Sequence, residues 1–432
     1  MKLHALRWLV LLGMLLSGMA ATNAAPPTTS IAPRDSAEAI AQRQVLVMLR
    51  VPPAHYRPDA SYGNDYPNAP GRRARRHVAS RLARAHGLKL RDEWPMPALG
   101  VDCFVLDAPD RDSALRGART LAADPRVESA QVMQVFHVLG NVERSGDPRR
   151  ADPLYATQPA TLAWHLDELH AQATGKGVRI AVVDSGVAVG HPDLRGQIAL
   201  ARNFVDGSPN AGEVHGTAVA GIIAAREGNG VGIVGIAPQA RLLALRACWQ
   251  EGPANAACSS FTLARALQFA IDAHAQVLNL SLSGPRDRLL ARLLDAALAR
   301  GISVVGAVDV QARDGGFPVS HPGVLAVDGM DGAPPPVAVV RAPGEGIPAT
   351  LPDGGWGLVS GASFAAAQVS GLVALLRQRR PDLGPAQLLT VLTPATGVPS
   401  TAERPRAIDA CAVMLRTAGR CVCACAPASA AR

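Results

Sequence analysis

Beyond its first two dozen residues this chain has no apolar run long enough to span a bilayer, and after Asn279 it has no asparagine at all. Lysine is almost absent too: only Lys2, Lys89 and Lys176 occur, so nearly all of the 43 basic residues are arginine. The formal charge of +8 is confined to one end. Residues 1–150 hold 21 of the 43 basic and 14 of the 35 acidic side chains, which leaves 22 against 21 for the rest of the chain. A nearly neutral larger part gives no electrostatic footprint for a nucleic acid, and none is expected as a partner. With 432 residues, 48% of them hydrophobic, there is material for two or three domains and a substantial core.

What is present begins with an export signal. Lys2 and Arg7 precede an apolar run from Trp8 to Met19, followed by small residues with candidate cuts after Ala20 or Ala24. Residues 1–24 are therefore read as a signal peptide, and no cysteine follows in a lipoprotein-like position. The mature protein is expected to be secreted, periplasmic or extracellular, with no membrane association after signal removal. Residues 25–43 are rich in Pro, Ala and Thr and read as a linker.

Three stretches carry chemistry. Val178 to Gly186 is a buried-strand pattern ending on Asp184 and a turn; His215-Gly216-Thr217-Ala218 opens an apolar helix of small residues; Gly361-Ala362-Ser363-Phe364 carries a serine into a second such helix. Alone, Asp184 reads equally well as a turn former, His215 as a helix cap and Ser363 as an N-cap. Together, in the order Asp, His, Ser, they match one of the known orders of the catalytic triad and neither the chymotrypsin nor the α/β-hydrolase order. The chain from about Asp152 to about Ala410 resembles the subtilisin-like serine proteases, the subtilases. The resemblance implies that Ser363 attacks the scissile carbonyl, His215 takes and returns the proton, and Asp184 holds the imidazole. A lipase or esterase is disfavoured because no Gly-x-Ser-x-Gly elbow surrounds Ser363.

The expected fold is α/β: a parallel-sheet, subtilisin-like catalytic domain over 152–410, preceded by a small α+β, ferredoxin-like domain over 44–137. Strands are expected at Arg179–Val183, Arg241–Arg246, Gln276–Leu282, Ser303–Val308 and Val324–Asp328. Helices are expected at Gly216–Arg226, Phe261–His274, Leu289–Arg300, Phe364–Gln378 and Pro385–Leu392. In the first domain the order reads βαββαβ: Gln44–Leu49, helix Arg76–His86, Leu88–Trp94, Val101–Leu106, helix Ser113–Ala123, Val127–Val135. Its place and pattern are similar to the inhibitor-type propeptide of subtilases, which implies an intramolecular inhibitor and folding aid. The insertion Pro52–Gly71 reads as a surface loop, and Arg72-Arg73-Ala74-Arg75-Arg76 as a processing site or, preferred, a solvated helix start. Residues 138–151 read as a polar linker within which maturation falls, and 411–432 as a Cys-rich tail.

The resemblance also assigns Ser281, Leu282, Ser283 and Gly284 to the strand that pairs with substrate and lines the specificity pocket, and Cys258-Ser259-Ser260-Phe261 to the opposite edge. Val308 stands where the family commonly keeps a glycine, so it should narrow that pocket. Ala362, Ala367 and Gln368 replace the Thr, Pro and His usual around the nucleophile. The family's oxyanion Asn is replaced by Asp309, and the absence of any later asparagine closes off a shifted alignment. An ionised carboxylate would repel the oxyanion; a protonated one could donate, and that is the expectation here, with Gln311 as a substitute donor. These departures sustain a second reading, a weak or inactive subtilase that binds peptides or inhibits itself.

Among seven cysteines, Cys103 lies in the first domain, and Cys248 with Cys258 is the preferred bridge, closing a short Gly/Pro/Asn loop. Cys411, Cys421, Cys423 and Cys425 lie downstream, and the cluster of the last three reads as disulfides or disorder rather than a metal site, since it has only three thiols and no histidine nearby. No cofactor is required by the chemistry; structural calcium is common in subtilases, but no ligand set is assigned. The expected partners are peptide or protein substrates and the chain's own propeptide, and a monomer is expected.

Overall fold

The computed structural model describes residues 37–51, 69–144, 152–252, 255–329, 338–392 and 408–418. The signal peptide, most of the linker after it, most of the 52–71 insertion, Arg149–Arg150 and the three last cysteines lie outside them. Among the described residues no helix is long and apolar enough to cross a membrane.

The first part of the chain is an antiparallel sheet with two helices on one face. Its elements are β1 (Gln44–Arg50), α1 (Ala69–Ala85), β2 (Lys89–Met96), β3 (Val101–Asp107), α2 (Arg111–Ala122) and β4 (Val127–Val132), in sheet order β2-β3-β1-β4. This is the expected βαββαβ arrangement. Helix α1 starts seven residues before the expected Arg76, so the end of the insertion is helix. Its arginines are largely solvent-facing, and Arg75 reaches Asp102 at 2.6 Å. Alternation along β1 gives the sheet two cores. Val45, Val47 and Leu49 pack under the helices, while Leu46 and Met48 face the larger part of the molecule. Cys103 is buried on that second face, and burial, with Asp102 beside it, pushes its thiol far up, leaving it protonated.

Two short strands follow: β5 (Val135–Val138) and β6 (Asn141–Arg144). The expected last strand Val127–Val135 is broken at Met133–Gln134, and the stretch read as the start of a polar linker is strand. Neither strand joins the first sheet, because each finds its partner elsewhere.

The larger part is built on seven parallel strands: β7 (Arg179–Asp184), β8 (Ile198–Asn203), β9 (Arg241–Arg246), β12 (Val277–Leu280), β14 (Ser303–Ala307), β15 (Leu325–Asp328) and β16 (Val340–Arg341), in order β16-β15-β14-β12-β7-β9-β8. Between them in sequence lie β10 (Cys248–Gln250), β11 (Ala256–Ser259) and β13 (Leu282–Ser283), and after them β17 (Ile347–Thr350) and β18 (Trp356–Ser360). A continuous apolar run suits a strand covered on both faces. In β7, Ile180 and Val182 face α3 (Val214–Ala224) and α6 (Ala362–Arg379), whereas Ala181 and Val183 face α4 (Ser260–Asp272) and α5 (Arg288–Ala299). Helix α4 starts on a capping box between Ser259 and Thr262, and α5 on Asp287, which accepts the N–H groups of Leu289 and Leu290. Past α7 (Pro385–Leu392), the helix α8 (Ala410–Ala418) buries Cys411, Val413 and Met414 in the core of the parallel sheet, so the stretch read as a tail from 411 begins as packed structure.

Just before β8 in the chain, the buried Asp193 carboxylate accepts N–H from Asn229 (2.8 Å), Trp356 Nε1 (2.7 Å) and Ile233 (3.0 Å). Burial raises its pKa, and those three donors pull the other way. A cation would need oxygen ligands in their place. No group of three or more His, Cys, Asp or Glu able to hold a metal occurs among the described residues.

Candidate active site

In an open parallel sheet ligands collect at the carboxyl ends of the strands, where connections leave the layer. Here those ends carry Asp184 and the segments 281–284 and 308–309. Asp184 ends β7, Ser281 to Gly284 follow β12, and Val308 and Asp309 follow β14. His215 sits in the first turn of α3 and Ser363 in the first turn of α6, where backbone N–H groups have no intrahelical acceptor.

The acid and the imidazole are joined. His215 Nδ1 lies 2.8 Å from Asp184 Oδ1, and both side chains are buried. Asp184 Oδ1 also accepts the Ser185 N–H at 2.6 Å. Beside them Glu213 grips Arg246 in a forked pair (3.0 and 2.8 Å) and accepts the N–H groups of Gly186 and Gln250. Burial pushes the Glu213 carboxyl up, but Arg246 and those amides outweigh it and hold it below the ordinary range. Sequence reading missed this pair, which ties the turn after Asp184 to the residue preceding Val214 and His215. A lone Glu two residues before His215 gave no signal of it.

Ser363 is placed in the same cleft but is not joined to His215. Its Oγ donates to the Ser281 carbonyl at 3.0 Å and accepts the Leu139 N–H at 3.2 Å, while His215 Nε2, buried, has no hydrogen-bond partner among the described residues. A chain of hydrogen bonds fixes the serine's backbone: Ser370 Oγ to Asn279, Asn279 to Ser281 Oγ, and Ser281 Oγ to the Ser363 carbonyl, each 2.9 Å. The ring of Phe364 lies 5.3 Å from that of His215.

The segment that holds Ser363 is the chain itself. Strand β5 lies between β11 and β13, antiparallel to both, with Cys258 opposite Phe136, Ala257 opposite His137, Leu282 opposite Val138 and Ser283 opposite His137. Strand β6 pairs with β18, Ser360 opposite Asn141. Leu139 and Gly140 cross between the two at the serine. The passage is tight: a Cβ on Gly361, which has φ +141°, would stand 2.7 Å from Gly140 Cα and 3.0 Å from the Leu139 carbonyl oxygen. Phe136 is fully buried with its ring 6.1 Å from that of Phe317, and a Cβ on Gly284 would meet it at 2.2 Å.

Asp309 takes part differently from the expectation of a lone donor. Its Oδ1 accepts the Gln311 N–H at 2.9 Å and its Oδ2 the Ser283 hydroxyl at 3.2 Å. Val308 is buried, its N–H donating to Val327. The bridge Cys248–Cys258 forms as expected, and Cys411 is also disulfide-bonded.

Comparison with known proteins places the chain in a family. The profile of the Subtilase family matches residues 175–409. Subtilisin from Bacillus pumilus is 33% identical over 238 residues, 51% of this chain and 84% of that protein. Subtilisin E from Bacillus subtilis (strain 168) has the same identity over the same length, with 61% of it covered. The crystal structure of fervidolysin from Fervidobacterium pennivorans, described as a keratinolytic enzyme related to subtilisin, superposes with a TM-score of 0.61 at 23% identity, covering 81% of this chain and 56% of that one; the likeness is one of fold. With more than half of its length inside the family profile and a relative one-third identical over most of that relative's sequence, the chain belongs to the subtilase family, hydrolases of the serine endopeptidase class.

Proposed function

We propose that this protein is a secreted serine endopeptidase made as a self-processing precursor, with Asp184, His215 and Ser363 as its triad and Leu139–Gly140 as the first bond cut. The observation that carries this reading is the path of residues 135–144. An extended segment paired on both edges of a cleft is how a protease holds a peptide whose sequence it need not read in full. The cut then divides the chain into a propeptide ending at Leu139 and an enzyme beginning at Gly140, narrowing the 138–151 maturation region to one bond.

The chemistry follows from the atoms in place. Rotation of the Ser363 side chain away from the Ser281 carbonyl brings its hydroxyl toward the free His215 Nε2. The Oγ–carbon bond forms at the Leu139 carbonyl as the hydroxyl proton passes to Nε2. The C–N bond to Gly140 then breaks, and the new amine takes that proton. Water repeats the cycle on the ester. Asp184 keeps Nδ1 protonated and stabilises the imidazolium.

The N–H of Ser363, in the first turn of α6, is the first oxyanion donor in this reading. The second donor is expected at position 309. Protonated Asp309 could donate its O–H while still accepting the Ser283 hydroxyl, whereas as a carboxylate it is an acceptor beside a forming negative charge. The corresponding second reading, a slow subtilase held by its own propeptide, rests on that contact. Ser281, Leu282, Ser283 and Gly284 pair with the substrate backbone, and Val308 and the Ser283–Asp309 pair restrict the side chain before the scissile bond.

Expression of the full chain alongside Ser363→Ala, followed by intact mass and N-terminal sequencing, tests the proposal. The unsubstituted chain should yield a fragment starting at Gly140 and the variant should stay whole. Processing of the Ser363→Ala chain in a host free of other proteases, or a stable cut elsewhere, overturns it.

A further inference from the structure

The two edges of the peptide cleft are held to the catalytic frame by different means. Strand β13 leaves the central strand β12 after a single residue, Ser281, whose hydroxyl is bonded to the Ser363 carbonyl. Strand β11 has no such continuity. It precedes α4 directly, and its paired neighbours are β10 on one side and β5 on the other. Once β5 departs, β11 keeps three paired residues with β10. A two-stranded ribbon that short does not hold its shape by pairing alone.

Strand β10, in contrast, is anchored to the site. The Ala247 N–H just before it donates to the Asp184 carbonyl at 2.8 Å. The Gln250 N–H donates to Glu213 at 3.1 Å, and the Gln250 side-chain oxygen accepts the Val214 N–H at 3.0 Å, one residue before His215. The disulfide joins the facing residues Cys248 and Cys258, both fully buried, and Cys258 in turn stands opposite Phe136.

We propose that the Cys248–Cys258 disulfide is a positioning pair for substrate: it locks the outer wall of the cleft to the Asp184–His215 frame, so that residues three to five before the scissile bond are held in register. Breaking the bridge loosens the grip on an extended peptide and leaves bond cleavage at Ser363 intact. The consequence is an enzyme whose discrimination, rather than whose chemistry, depends on an oxidising compartment. This inference rests on the proteolytic reading for its kinetic test but not for its structural one.

The kinetic test compares processed enzyme with its Cys248→Ser/Cys258→Ser counterpart on two substrates. One is a Val-Phe-His-Val-Leu anilide, spanning Val135 to Leu139; the other is acetyl-leucine methyl ester, which lacks everything β11 would pair with. The variant should lose about tenfold or more in kcat/KM on the pentapeptide, through KM, and stay within about twofold on the ester. Equal losses on both substrates, or none, overturn the proposal. The structural test uses full-length Ser363→Ala and follows hydrogen exchange with and without the two cysteine substitutions, or with reduction of the folded protein should the variant fail to fold. Amides of 135–138 and 256–259 should exchange faster while β12 and β14 stay unchanged. Unchanged protection in β5 and β11 overturns the proposal even where no substrate is turned over; absence of ester turnover by the unsubstituted enzyme counts against the proteolytic reading alone.

Discussion

The acid–base half of the site and the nucleophile half are prepared to different degrees. Asp184 and His215 are already bonded, buried and braced by the Glu213–Arg246 pair. Ser363 has a fixed backbone but a hydroxyl committed to Ser281 and Leu139. The first half is held by bonds that involve no residue of β5 or β6. The second is in contact with Leu139, so on the proposed reading the chain in the cleft would both present a bond and keep the serine from its base.

The sharpest way to break this contrast is to remove each half in turn. Ser363→Ala or His215→Ala should lower processing by about 10⁴-fold or more, and Asp184→Asn by about 10⁴-fold through loss of the imidazole's orientation, measured as single-turnover appearance of the Gly140 N-terminus. Unimpaired processing in Asp184→Asn would show that the bonded half is only structural.

Asp309→Asn sharpens the contrast from the other side. Restoring a neutral donor should raise kcat near neutral pH by about 10²-fold, the worth of one oxyanion donor. A fall in rate would mean that the carboxylate is needed as it stands, with Ser283 as its partner.

Gly284→Ala tests whether the occupant is seated by side chain as well as by backbone. A methyl directed into the Phe136 ring should slow processing by about tenfold or more, and a Phe136→Ala second change should recover part of it, as expected for overpacking at one contact.

The smallest effect is expected away from the cleft. Trp356→Phe removes one donor to Asp193 and should cost about 1–3 kcal/mol in urea unfolding of the Ser363→Ala chain. Because the folded-state pKa of Asp193 is raised, its contribution to stability is fullest in acid and is lost as pH rises through that value. The variant's deficit should therefore be larger near about pH 7 than near about pH 4, where the unfolded carboxyl is close to its ordinary pKa. An equal deficit at both would remove Asp193 from the account.

The sheet, its principal helices and the placing of Asp184, His215 and Ser363 at strand and helix ends were legible because their signals are local. An apolar run ending on Asp184 and small-residue helices opening at His215 and near Ser363 are readable one segment at a time. The Cys248–Cys258 bridge was legible for the same reason, a short loop between two cysteines. Strand β8 was not, since its residues are mostly exposed at the sheet edge, two of them are polar, and small alanines alternate with its larger apolar side chains. Strands β5 and β6 were hidden more deeply. Their extended form is imposed by β11, β13 and β18, partners about 120 to 220 residues away, and strand propensity alone carries little of that information. Asp309 was found by what was missing, but its bond to Ser283 required the two loops to be brought together.

Strand β4 ends at Val132 and β5 begins at Val135, so two residues separate a packed sheet from the cleft. On the proposed reading, a connection that brief keeps the Leu139–Gly140 bond at its own molecule's Ser363, and each molecule would cut itself. Maturation should accordingly run as a unimolecular clock, with the same half-life in a dilute culture supernatant as in a concentrated preparation; a half-life that shortens in proportion to concentration would mean that the first scission is done by another copy.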